Sequence, residues 1–226
     1  MAIILNIDTA VESASVCLAT QAKSLQFAIN SNQRDHASWL HTTIQKIISN
    51  TGLNLKEIEA VAVTIGPGSY TGLRVGLSAA KGLCFGLNIP LIAVNTLEMM
   101  AHAVKKDEAD FICPLIDARR MEVFMAVYNK NLQEIIKPCA LIIEPGSFDS
   151  LLGSGKILFS GNGSKKLTDI IVHANASFNN IDGSAADMVH LSEKAFIEKK
   201  FADLAYVEPL YIKEFYSPGH PLTRKY

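Results

Sequence analysis

Apolar positions recur along this chain in two registers, and the switches between them mark the elements. Residues 2–8 and 13–19 read as strands separated by a polar turn at Thr9–Glu12, and a third strand fits Lys23–Asn30. Three strands at that spacing make a meander. From residue 35 the period lengthens: Ala37, Leu40, Ile44, Ile47 and Ile48 fall at helical spacing behind Asp35 as N-cap, which predicts a helix over 35–50. Ile58–Ile65 is a nearly unbroken apolar run, the pattern of a strand buried on both faces. A glycine-rich turn, Gly66–Ser69, then leads into a helix over 71–87, a strand over 90–94 and a helix over 96–104.

The most hydrophilic stretch, Lys105–Asp110, places a boundary between sub-domains 1–106 and 107–213. The second half starts over. Phe111–Asp117 and Met121–Tyr128 repeat the opening hairpin, with Asp117 ending its strand as Asp8 ends the first. Lys156–Ser160 followed by Gly161-Asn162-Gly163 echoes Ile58–Ile65 followed by Gly66-Pro67-Gly68. Two similar halves, each a strand meander followed by strand–helix units, predict a duplicated α/β fold. The second copy is blurred, with shorter helices around Pro145–Leu152 and Ala185–Lys199 and no assignment for 165–184. Residues 214–226 carry no periodicity and two prolines, Pro218 and Pro221, and read as a mobile tail.

A length of 226 residues fits one large or two small domains, and 49% apolar against 19% charged residues is ordinary globular usage. Lys+Arg at 21 against Asp+Glu at 22 leave a net charge of −1, which argues against a protein that grips nucleic acid alone. Cys17, Cys84, Cys113 and Cys139 stand far apart among apolar neighbours, so core packing is expected and a zinc site is not. No apolar run approaches the roughly 18 residues of a membrane span, and the N-terminus has no basic segment of a signal peptide. A cytoplasmic protein without a membrane anchor is expected.

Candidate chemistry gathers at two turns. Asp8 and Thr9, with Ser13 and Ser15 on the returning strand, are ordinary turn residues; the same groups at a strand end can also orient a hydrated magnesium ion and meet phosphate oxygens. Gly66, Gly68 and Ser69 form a turn whose free amides at a helix start suit an anion, yet the lysine of a P-loop is missing until Lys81. These residues leave open a small magnesium–nucleotide-dependent phosphotransferase. The helix after the turn carries two rows of small residues: Gly72, Gly76 and Ala80, and Ser78, Gly82 and Gly86. A glycine inside a helix costs about 0.8–1 kcal/mol relative to alanine, and close approach of another element is what offsets it. One row can face the protein's own sheet while the other is open to a helix of another chain. Trp39, the single tryptophan, falls at the edge of the apolar stripe, where peripheral packing and an interface are both open readings. His36 and His41 are five apart, a poor spacing for one helical face, and the remaining histidines are isolated.

Three strings, Ile7-Asp-Thr-Ala10, Gly66-Pro-Gly-Ser-Tyr-Thr-Gly-Leu-Arg-Val-Gly76 and Ile116-Asp-Ala-Arg119, closely resemble the TsaB (YeaZ-like) family. The similarity runs from about residue 2 to 213, and Glu208–Lys213 fits the family's closing strand. The resemblance implies the duplicated fold of actin, Hsp70 and sugar kinases. It implies a non-catalytic role, without metal or cofactor, in making threonylcarbamoyladenosine in tRNA, beside the transferase TsaD and the ATPase TsaE, with tRNA met only through the complex. Where TsaD places two metal-binding histidines, this chain has Thr96 and Met100, which are poor ligands for iron or zinc. In the family the first two helices contact TsaD, and the same surface can pair two copies. By position the interface candidates are His36, Trp39, Leu40 and Thr43 on one helix and Gly72, Val75, Gly76 and Ala79 on the other. Asp8, Thr9, Ser13, Gly66, Gly68, Ser69 and Arg119 become a vestigial nucleotide cleft, and Arg74, like Arg119, matches a motif arginine.

Overall fold

The computed structural model describes residues 2–32, 35–104 and 109–213. Strands β1 (Ile3–Asp8), β2 (Ala14–Thr20), β3 (Lys23–Asn30), β4 (Ala60–Gly66) and β5 (Leu91–Asn95) form one sheet in the order β3-β2-β1-β4-β5. The first three are antiparallel neighbours, and β4 and β5 run parallel to β1. Strands β6 (Phe111–Asp117), β7 (Glu122–Asn129), β8 (Glu134–Ile142), β9 (Ile157–Ser160) and β10 (Ala176–Phe178) form a second sheet in the order β10-β9-β6-β7-β8. Read from the other edge, β8-β7-β6-β9-β10 repeats the first sheet strand for strand, and the fold is the duplicated α/β architecture expected from the sequence.

Alternation along each strand sets the layers, because successive side chains point to opposite faces. In β1, Leu5 and Ile7 face helices α1 (His36–Thr51) and α2 (Tyr70–Leu87), while Ile4 faces the interior between the sheets. In β6, Cys113 and Leu115 face the outer side with α4 (Asp149–Ser154), while Ile112 and Ile116 face the interior. Helices α3 (Thr96–Ala103) and α5 (Val189–Ile197) fill the space between, so five layers stack as helix, sheet, helix, sheet, helix. Helix α3, from the first half, lies on β6 and β7, and α5, from the second, lies on β1, β2 and β5.

Several local expectations change. Asp35 precedes α1 without a side-chain cap, because its carboxylate accepts from Asn32 Nδ2 at 2.6 Å. Ser69 does cap α2, its hydroxyl accepting from the Gly72 amide at 3.2 Å. Strands β8 and β10 are additions, and the second-copy helices are shorter than 145–152 and 185–199 suggest: Glu144–Ser147 and Ser184–Asp187 are hydrogen-bonded turns. Glu208–Lys213 adds no strand. The stretch after α5 returns instead to the first half, where Ala202 bridges to Leu91 and the Leu210 amide donates to the Ile65 carbonyl at 2.6 Å. Residues counted with the second sub-domain by sequence therefore pack on the first. Residues 105–108 of the expected boundary and the 214–226 tail lie outside the described residues.

Candidate functional site

Asp8 ends β1 on the interior face and is fully buried. Its Oδ1 accepts from the Thr64 hydroxyl at 2.7 Å and the Ala10 amide at 3.0 Å, while Oδ2 is buried without a partner. Burial pushes the carboxyl up to about 6, and Asp182 and Asp187 of the second half add to the shift against the two donated bonds. Asp182 is itself raised by burial, and its Oδ1 accepts from the Asn162 amide at 2.7 Å. The halves are stitched here by the Ala185 amide, which donates to the buried Ser15 hydroxyl at 2.8 Å.

The glycine-rich turn closes onto this strand end rather than standing off it. The Ser69 amide donates to the Ala10 carbonyl at 2.7 Å, and a Cβ on Gly68 would overlap that same carbonyl. On Gly72 a Cβ would overlap the Thr9 carbonyl, and on Gly76 the Thr9 hydroxyl. The turn's glycines thus receive the chain's own backbone where an anion would have to approach. Ser13 is half-buried. Arg119 is exposed at φ +68° in the β6–β7 hairpin, where its amide donates to Asp117 Oδ1 at 2.6 Å. The structure brings Asp8, Thr9, Gly68 and Ser69 together as a closed junction and places Arg119 on the exposed hairpin of the other half.

The outer face of α1 and α2 differs. An open groove of about 530 Å³ runs between them, lined by Ala37 and His41 from α1 and by Arg74, Val75, Ser78 and Gly82 from α2. Of the expected interface positions, Val75 and Ala79 line this groove and Trp39 is half-buried at its helix edge. Leu40, Thr43 and Ala79 are buried, and Gly72 and Gly76 face inward onto Thr9. His36 begins α1, and its side chain lies outside the described residues. The second small-residue row is the open one: Ser78, Gly82 and Gly86 are exposed, and a Cβ on either glycine would meet nothing within 4 Å. Phe85 stands beside that row at 83% exposure. Sequence reading missed it, although its place three residues after Gly82 puts it on the same side of the helix.

Among the described residues no group of three or more histidine, cysteine, aspartate or glutamate side chains is arranged to hold a metal, and no helix is long and apolar enough to cross a membrane. Thr96 and Met100 are both fully buried, and the Met100 methyl lies where a Cβ on Gly161 would stand.

A family model described as TsaD, tRNA N6-adenosine threonylcarbamoyltransferase, matches residues 28–208. The Escherichia coli tRNA threonylcarbamoyladenosine biosynthesis protein TsaB is 30% identical over 220 residues, covering 93% of this chain and 94% of its own length. The chain belongs to the TsaB family. The Bacillus subtilis TsaB protein is 28% identical over 215 residues, with 93% of each chain covered. A solved Pseudomonas aeruginosa structure described as similar to the peptidase YeaZ superposes with a TM-score of 0.82 at 23% identity, over 94% of this chain and 100% of that one, which shows a shared fold. This TsaB-family chain therefore carries its relatives' framework with the junction at Asp8 closed and the α1–α2 face open.

Proposed function

We propose that the protein serves the biosynthesis of threonylcarbamoyladenosine in tRNA as a non-catalytic cytoplasmic subunit that docks the transferase TsaD through the α1–α2 face. TsaE completes the assembly, tRNA is met only through it, and a second copy of the chain competes for the same face. The names of the TsaB relatives support the pathway. One observation carries the docking surface: Phe85 stands almost fully exposed beside Gly82 and Gly86, two glycines of α2 with open space where a Cβ would be. Exposed aromatic area next to a row without side chains fits a helix from another protein approaching closely. The closed Asp8 junction, with Thr96 and Met100 at the places of TsaD's metal ligands, supports a scaffold in preference to an enzyme.

The test is Gly82→Trp. The new Cβ enters open space and the ring reaches over the open groove, so the variant melts like the parent chain, and it forms no complex with TsaD by light scattering and does not restore tRNA modification in a reconstituted reaction. Assembly at unchanged affinity rejects the face, and threonylcarbamoyl transfer by the chain alone rejects the non-catalytic role.

A further inference from the structure

Arg74 belongs to the glycine-rich motif but has no task in the reading above. It lies one turn into α2 and lines the α1–α2 groove. Its guanidinium carbon stands 4.0 Å above the Tyr70 ring, and its Nε donates to the Tyr211 hydroxyl at 3.0 Å. The two tyrosine rings are 5.2 Å apart between centroids, so the arginine is held by a pair of aromatics that are themselves in contact.

Tyr211 comes from 137 residues away and is fixed from both sides. The Leu210 amide donates to the Ile65 carbonyl at 2.6 Å, Lys81 Nζ donates to the Val207 carbonyl at 2.9 Å, and Lys213 pairs with Glu122 of β7. Among the described residues no aspartate or glutamate forms an ion pair with Arg74. Beside the bonds to Tyr211 and Tyr70, N–H groups of the two Nη atoms remain. They belong to the forked donor set that matches a carboxylate, and a guanidinium already held in place loses little freedom on pairing.

We propose that Tyr70 and Tyr211 preset Arg74 as a carboxylate-binding arm at the groove, so that the helix docking there presents an aspartate or glutamate to it and the stretch ending in Tyr211 is part of the docking site. The proposal rests on the docking face described above. Charge complementarity selects its occupant: a helix whose small and apolar side is flanked by one acidic residue. Tyr211 is a positioning residue, acting through Arg74.

Titration calorimetry of the full chain against TsaD, at several salt concentrations, tests the arm. Arg74→Gln weakens binding about tenfold or more and flattens its salt dependence, because a charged hydrogen-bonded pair is lost. Tyr211→Phe keeps the ring contact and frees Nε; it weakens binding about threefold and keeps the salt dependence. Arg74 and Tyr211 are exposed, so both variants melt as the parent does. Parental affinity and salt slope in Arg74→Gln, with binding still blocked by Gly82→Trp, overturn the arm and leave the face standing. Unhindered binding by Gly82→Trp removes the face itself. A weakened Arg74→Gln beside an unchanged Tyr211→Phe overturns the part given to the C-terminal stretch.

Discussion

The Thr9 hydroxyl donates to the Gly72 carbonyl at 2.7 Å, and the Thr9 carbonyl lies where a Cβ on Gly72 would stand. The end of β1 is thereby pressed against the first turns of α2. Gly72 and Gly76, from one of the two small-residue rows, are taken up by this contact, and Gly82 and Gly86 are not.

Gly76→Ala is therefore a stability variant. The added methyl overlaps the Thr9 hydroxyl and displaces it from Gly72, and overpacking of this kind costs about 1–3 kcal/mol. In a chain of this length that lowers Tm by several degrees, read by scanning calorimetry, while the folded fraction keeps its affinity for TsaD.

Gly82→Ala runs the other way. Its Cβ enters open space inside an 18-residue helix, so only the helix preference changes. A gain of about 0.5–1 kcal/mol in urea unfolding of the isolated chain is expected. A loss would mean that the space beside Gly82 is filled by the chain itself.

Asp8 gives a pH signature. Its folded carboxyl titrates at about 6, above the ordinary 3.8 of the unfolded chain. The stability this contributes is fully present below about pH 3.8 and is lost as pH rises through 6. At pH 8 the buried carboxylate costs about 3 kcal/mol relative to its protonated form. Asp8→Asn removes that burden and keeps an oxygen for Thr64 and Ala10. Urea unfolding at pH 8 should show the variant more stable by about 2–3 kcal/mol, with the advantage shrinking steadily toward pH 4. Equal pH profiles for variant and parent would rule out the raised titration.

The first half was legible because its helices are long enough to show a period: Leu40, Ile44, Ile47 and Ile48 are all buried, as the stripe requires. In the second half the counterparts of α1 and α2 are a six-residue helix and a 3₁₀ turn at Asn162–Lys166, too short to display one. Strand β8 hid behind Pro138, which an edge strand tolerates at a register irregularity because one edge needs no partner. At the site, spacing gave two small-residue rows but not their facing, since which row turns inward depends on where the β1 end sits. Tyr211 beside Arg74 could not be read at all, because that contact exists only after the chain has crossed the molecule and returned.

The crossing of α3 and α5 between the sheets has a consequence for synthesis. When the first hundred residues leave the ribosome, β1, β2 and β5 still lack α5, and the β5 edge lacks Ala202. That surface stays wet until nearly the whole polypeptide has emerged. A nick between the halves would therefore yield two incomplete fragments, each missing a cover that only the other supplies.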